Sequence, residues 1–250
     1  MKIIEKIKTN QLIVNPSEIQ KICLDKLKLN PLPNTKSKAW RFSRKSKFSN
    51  FLDFPLNNNN NENFKIPYQN ESKDFIRLII GEDISINIEQ DNFSIKKLTH
   101  EELVKYIKNN ISYFDQNEHW SDLLNLGLSS EKNILGFKIN GTQIPPIEIL
   151  SHALSDHFTA KTLIVLVEKN CKIDLLQINL GAANSSLSQS TYFCLEDNSA
   201  VNHGVVSYGE TKSNLLSTLN VMQSQNSEYN LGSLHSKFNY ARFEIRINQS

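Results

Sequence analysis

From about residue 160 onward, apolar and polar positions alternate in short runs separated by Asn, Ser, Gly and Asp. A period of two puts successive side chains on opposite faces and predicts β-strands. The runs fall at Leu163–Glu168, Ile173–Leu180, Thr191–Leu195, Val201–Tyr208, Leu215–Met222, Tyr229–Leu231 and Arg242–Ile247. They recur about every ten to twelve residues with no helical period between them, as in an all-β sandwich, barrel or β-solenoid. Three features favour the solenoid. The joins lack the Asn-Gly and Asp-Gly pairs of tight hairpins. Single polar residues, often Asn or Ser, stand between strands as at the corners of stacked coils. Several strands carry apolar residues on one face and polar ones on the other, as in Leu176/Ile178/Leu180 against Gln177/Asn179 and Phe243/Ile245/Ile247 against Glu244/Arg246. The most regular strand is followed only by Asn248-Gln249-Ser250, with no capping helix. An open solenoid end exposes unpaired backbone and core side chains. The expectation is a partner over that end or, preferred, a chain that is the front portion of a longer protein.

Residues 1–150 read as a helical and mixed region, and 151–250 as the first part of the solenoid. To about residue 56 the pattern is helical. Asn15 is placed to cap, Pro16 fits the first helical position, and Glu18 stands where a capping-box carboxylate returns. Ile19, Ile22, Cys23 and Leu27 form the apolar face, and Asn30-Pro31 ends the helix. The polar stretch at about 57–63, with its run Asn57–Asn61, reads as a flexible loop. Phe75–Ile80, Ile84–Ile88 and Ile134–Ile139 read as extended. Thr99-His100-Glu101-Glu102 is a capping box opening a helix with Leu103, Ile107 and Ile111 on one face. His119–Leu126 reads as a further helix, stopped at Gly127.

Composition narrows the class. The chain has 250 residues, 39% hydrophobic and 22% charged, enough apolar content for a core. No apolar run approaches the length of a membrane span, and no signal peptide is readable after Met1-Lys2-Ile3-Ile4-Glu5-Lys6. A cytoplasmic protein is the expectation. Cys23, Cys171 and Cys194 form no close pair, which argues against a disulfide framework and a self-contained zinc or iron–sulfur site. Residues 1–50 carry twelve Lys and Arg against Glu5, Glu18 and Asp25, a net +9; the whole chain nets +2, so the remainder is −7. A basic head on an acidic body suits nucleic acid, lipid or an acidic partner, but the general abundance of Asn, Lys and Ile weakens any function read from lysine content.

Candidate chemistry is sparse. His152 and His157 are too far apart in phase for one helical face, so they make no metalloprotease pair. His203 and His235 sit in strand-like runs, where a histidine either projects into a groove or is simply hydrogen-bonded. Cys194 reads as a small core residue and Cys23 as helix packing. In Lys36–Lys45, Trp40 and Phe42 interleave with cations. That pattern suits base stacking, but the plainer reading packs the aromatics inward and leaves the cations in solvent. No phosphate-loop, dinucleotide or nucleophile-elbow motif occurs, and no residue is assigned a catalytic, cofactor or metal role.

Two ordered blocks add a resemblance. Leu32, Pro33, Thr35, Lys36 and Trp40 resemble the N-terminal signature of the SufB/SufD family on its SufD side, with Lys38 and Ala39 where the family carries Glu beside the Trp. Ile134–Gly141, Pro145-Pro146-Ile147-Glu148, and then Leu163–Ile247 with Val201-Asn202-His203-Gly204, Tyr229 and Ala241-Arg242-Phe243-Glu244, resemble the entry and first coils of the same family's core, most closely its cyanobacterial type. The resemblance implies a mainly β protein, a right-handed parallel β-helix preceded by an N-terminal helical region and C-terminally truncated here. It implies a non-catalytic scaffold that pairs with a SufB-like paralogue through the β-helices. A SufC-like ATPase would bind through a C-terminal region not present here, and a cysteine desulfurase would act indirectly. An iron–sulfur cluster would form transiently at the level of the complex, none being bound by this chain alone. Membrane and nucleic acid are not among the expected partners. The family's cluster-interface residues are not carried over to His203 or His235. Two alternatives stand beside it: a β-helical carbohydrate-active or carbohydrate-binding protein, which needs Asp/Glu clustered on one face, and nucleic-acid binding through the basic segment, marked by a steep salt dependence.

Overall fold

A computed structural model describes residues 3–9, 12–13, 15–29, 32, 40, 51–57, 75–81, 87–111, 114 and 118–249. Its body is a parallel β-solenoid of about four turns. The strands are β1 (Ile76–Ile79), β2 (Asn87–Glu89), β3 (Phe93–Lys97), β4 (Ile134–Gly141), β5 (Ile147–Ala153), β6 (Phe158–Val167), β7 (Lys172–Gly181), β8 (Ser186–Leu195), β9 (Ala200–Gly209), β10 (Asn214–Gln223), β11 (Glu228–Ser236) and β12 (Tyr240–Gln249). They form two facing sheets, β1-β5-β7-β9-β11 and β12-β10-β8-β6-β4-β3-β2. The chain crosses from one sheet to the other after every strand from β4 onward. Among the described residues only β2–β3 and β3–β4 are antiparallel.

The repeat is 14 residues per half coil, longer than the ten to twelve expected, because the strands run ten residues and the turns four. The turns share one geometry. Asp156, Asn170, Asn184, Asn198, Lys212 and Asn226 follow one another at intervals of 14, all with φ between 54° and 62°. Asn and Asp tolerate this left-handed region best among residues with a side chain. The next residue then closes the corner, as where Ser199 Oγ donates to the Glu196 carbonyl at 2.6 Å and Ser213 Oγ to that of Glu210 at 2.7 Å. Stacked corners bond across coils, Asn198 to Asn170 and Asn226 to Asn198, each at 3.3 Å. Lys212 has φ 60° without an Asn side chain to favour it. Lys212→Gly is therefore expected to raise stability by up to about 1 kcal/mol, read as a higher urea midpoint at unchanged slope.

Inside the solenoid one half of the cross-section is apolar: Leu163, Val165, Phe193 and Val221 meet Ile173, Leu175 and Val201. The other half is polar. Column Lys161–Gln189–Ser217–Phe243 on one sheet runs alongside Ser151–Asn179–Ser207–His235 on the other. Ser151 Oγ donates to Gln189 Oε1 at 2.6 Å, Thr191 Oγ1 to Gln177 Oε1 at 3.0 Å and Asn179 Nδ2 to Ser207 Oγ at 3.1 Å. The Lys161 ammonium donates to the Ile80 carbonyl. In β7 the faces are thus distributed against ordinary expectation: Gln177 and Asn179 point inward, whereas Ile178 and Leu180 join a separate small cluster with Ile79 and Leu150.

The N-terminal region packs on the outer face of the seven-stranded sheet. It contains α1 (Ile3–Lys8), α2 (Glu18–Leu29), α3 (His100–Ile111) and α4 (Trp120–Leu128). Its core gathers Ile7, Cys23, Leu27, Trp40, Phe51 and Trp120 onto Phe158, Ile164 and Tyr192 of the sheet. The α3 capping box forms as expected, Thr99 N–H donating to Glu102 at 2.8 Å and Glu102 N–H to Thr99 Oγ1 at 3.2 Å. At α2 the box is Ser17 and Gln20 rather than Asn15 and Glu18. Asn15 lies two residues before it with φ 56°. Gly127 does not stop its helix; α4 runs on to Leu128, and a Cβ at Gly127 would stand 3.1 Å from Leu24, so the glycine permits α2 and α4 to approach. Asn57 is not part of a loose loop: it is buried and its N–H donates to the Phe158 carbonyl at 2.8 Å, while 58–63 lie outside the described residues. Trp40 packs inward as expected, edge-on to Trp120 at 5.6 Å; the rest of Lys36–Lys45 lies outside the described residues, as do Pro33, Thr35 and Lys36 of the resemblance. Among the described residues, no helix is long and apolar enough to cross a membrane.

Candidate functional site

The histidines and cysteines are dispersed. His157 is on a turn, its Nδ1 2.7 Å from the Ser155 carbonyl oxygen, and His152 is on β5. Among the described residues no three His, Cys, Asp or Glu side chains come together as a metal group. Cys23 is fully buried and burial pushes its thiol up; the Cys194 thiol on β8 is also raised, by burial and then by Glu196. Neither environment favours a thiolate.

His203 points into the solenoid, 2% exposed, with Nδ1 2.5 Å from the Tyr229 hydroxyl and its ring 5.0 Å from that of Phe193. Its Nε2 is buried without a hydrogen-bond partner. Burial depresses its pKa to about 3; His152 is likewise held at about 3, by burial and then by Lys161. Both therefore stay neutral in the fold, while the unfolded imidazole titrates near 6.5. Between those values protons bind preferentially to the unfolded chain. The stability contribution is complete above about pH 6.5 and drains away as the pH falls toward 3, by roughly 2–3 kcal/mol for His203 at pH 4.5. Unfolding free energies from urea titrations at pH 7 and 4.5 should differ less in His203→Gln than in the parent by that amount; equal differences would mean that His203 does not set this pH dependence.

Among the described residues the most exposed apolar side chains lie on the last coil. β11 and β12 are the outermost strands of their sheets, each paired on one side only among the described residues. Columns that are sealed in earlier coils open here. Phe193 and Val221 are 0% exposed, whereas Ile247 in the same column is 51% exposed. Ile245 is 53% exposed, against 7% for Leu219 in its column, and on the outer face of the other sheet Leu234 is 65% exposed.

A buried clamp fixes the edge from behind. Asp122 on α4 is 0% exposed and accepts from Thr218 Oγ1 at 2.6 Å, Arg246 at 2.8 Å, Asn220 at 2.9 Å and the Tyr192 hydroxyl at 3.1 Å. Burial, then Asp122, pushes the Tyr192 phenol well above its usual range. Arg246 also meets Glu244 at 2.7 Å, Glu244 accepts from Ser121 at 2.7 Å, and the Arg242 guanidinium lies 3.8 Å from the Trp40 ring centre. One helix thereby holds β8, β10 and β12 together. Sequence reasoning missed Asp122 because the residues that make it a hub lie on three strands up to 124 residues away. The one available signal was the alternation Arg242/Glu244/Arg246, charges on an otherwise apolar strand.

The acidic residues that a sugar-cleaving site would group are scattered. Asp174 and Glu228 lie on strands of one sheet and Glu244 on the other, while Glu196, Asp197 and Glu210 occupy turns. Asp174 is bonded along its column to Asn202 at 2.8 Å, which accepts in turn from Asn230 at 3.1 Å. Comparison with family models, curated proteins and solved structures finds no match to this chain.

Proposed function

We propose that the chain is a scaffold subunit of a SufBCD-type assembly, without catalytic activity of its own, whose solenoid docks edge to edge on that of a SufB-like paralogue. The parallel β-solenoid of about four turns behind a short helical N-terminal region supports this reading, because it is the architecture that the resemblance implies. The order of the motifs from Ile134 to Glu244, which resembles the family's core, supplies the identity of the partner. A SufC-like ATPase is the third component, and its ATP-driven movement opens the contact between the solenoids. Sulfur from a cysteine desulfurase and iron meet there, so that the cluster is cargo of the assembly. Rigidity is what the chain contributes: continuous parallel ladders and the Asp122 clamp let one coil move only with its neighbours.

The test is purification of a tagged chain from its source cells with identification of every bound subunit. Recovery of a SufB-type solenoid protein and an ABC-type ATPase in stoichiometric amount is expected. Recovery of the chain with neither overturns the assignment.

A further inference from the structure

Between α1 and α2 lies a cleft of about 350 Å³. Ile7 and Leu24 line it as buried members of the helical core, and Leu12 and Ile13, which stand between the two helices in sequence, pack half-buried against the same core. Among the described residues no aromatic side chain lines it, so its apolar walls are aliphatic. Lys6, Lys21 and Lys28 supply its charge, against Asp25 alone. Positions 21, 25 and 28 share one face of α2, which places Lys21 and Lys28 two turns apart, about 10 Å along the axis. Asp25 takes the Lys28 ammonium at 2.5 Å. Lys21 is exposed and Lys6 half-buried, and among the described residues neither enters an ion pair. The volume is that of a small-molecule pocket, in which apolar walls are joined to a few charged or polar groups.

We infer that this cleft is a binding site for a single-chain carboxylic acid, a fatty acid in chemical class. The alkyl chain lies against Ile7, Leu12, Ile13 and Leu24, and the carboxylate meets Lys6 and Lys21. Because Asp25 already balances Lys28, two positive charges remain, and they favour one anionic head over a neutral or cationic one. Lysine stems cover apolar surface while their ammonium groups stay in water, so one short cleft serves both chain and head. Aliphatic walls without a ring suit a flexible chain rather than a stacked aromatic. The cleft is built from the basic part of the chain, residues 1–50 at net +9, whose field favours anions. The inference uses the isolated protein alone and does not depend on the scaffold reading.

The experiment is a methyl-resolved NMR titration of the full chain with hexanoate, octanoate and decanoate, each below its micellar concentration. Saturable shifts at Leu12, Ile13 and Leu24 are expected, with affinity rising roughly tenfold for every two carbons added, the worth of two buried methylenes. Decyltrimethylammonium, with the same chain and the opposite charge, should bind at least tenfold more weakly than decanoate. Lys6→Gln combined with Lys21→Gln keeps the apolar walls and two good helix formers. It should weaken decanoate about three- to tenfold, the worth of two exposed charge pairs, and leave decanol binding unchanged. An amide fingerprint unchanged outside α1 and α2 verifies that this variant is folded. Absence of saturable shifts, affinity that does not follow chain length, or equal affinity for decanoate and decyltrimethylammonium overturns the proposal. Sedimentation of the chain with phosphatidylglycerol vesicles, without saturable decanoate binding, also overturns it and makes this face a membrane contact.

Discussion

Asp122→Ala is expected to lower the unfolding free energy by about 3–5 kcal/mol, the range for removing one partner of a buried ion pair. The carboxylate satisfies a phenol and a hydroxyl that are buried, and an amide and a guanidinium that are partly buried. Deleting it leaves four donors with fewer acceptors, each carrying its own desolvation cost. Arg246 keeps Glu244, which limits the loss. For a chain of this length each kcal/mol moves the melting temperature by about 2–4 °C, so a fall of roughly 6–20 °C is anticipated. Asp122→Asn preserves the shape and part of the accepting capacity and should cost about half as much. Thermal and urea unfolding of the two variants decides the matter. A loss below 1 kcal/mol for the alanine variant would mean that α4 is held by its apolar contacts alone.

The second large effect concerns association. Ile245→Asp combined with Ile247→Asp should weaken docking of a SufB-type partner at least a hundredfold, because a desolvated apolar anchor is worth 2 kcal/mol or more and a carboxylate at a closed interface adds a penalty of its own. The same change should alter stability by no more than about 1 kcal/mol, since both side chains are already half exposed in the free chain. Calorimetric titration against the purified partner gives the first number and urea unfolding the second. Leu176→Asp, on the outer face of a neighbouring sheet and away from the free edge, serves as the control that should dock normally. If the double variant docks as tightly as the parent, the last coil is not the interface.

The strands of the solenoid were legible wherever apolar residues alternated. Each of the seven runs from Leu163 onward lies within or across a strand of the fold. Their lengths were not legible. β8 begins Ser186-Leu187-Ser188-Gln189-Ser190, which reads as loop, yet these residues are buried strand, with Ser186 Oγ accepting from Asn214 of β10 and Gln189 in the polar half of the interior. Counting that half as loop shortened the repeat to about twelve. The true period was visible in the turn residues instead, as an Asn followed by Ser at Asn184, Asn198 and Asn226. β3 left no readable trace, because its five residues give too short an alternation.

The uniform corner has a consequence for how this molecule tolerates change in length. Removing 28 residues within the coils shifts every later strand by one rung but returns it to its own sheet with its own facing, so inward residues remain inward. Removing 14 would hand each later strand to the opposite wall and bring the polar half of one against the apolar half of the other. Insertions and deletions among descendants of this sequence should therefore come in whole circuits. They should also avoid the stretch from β8 to β12, whose rungs are tied to one fixed carboxylate at Asp122. A circuit gained between β4 and β7 would displace that tie, whereas one added beyond β12 would leave it alone. The growing point of such a lineage is its distal rung.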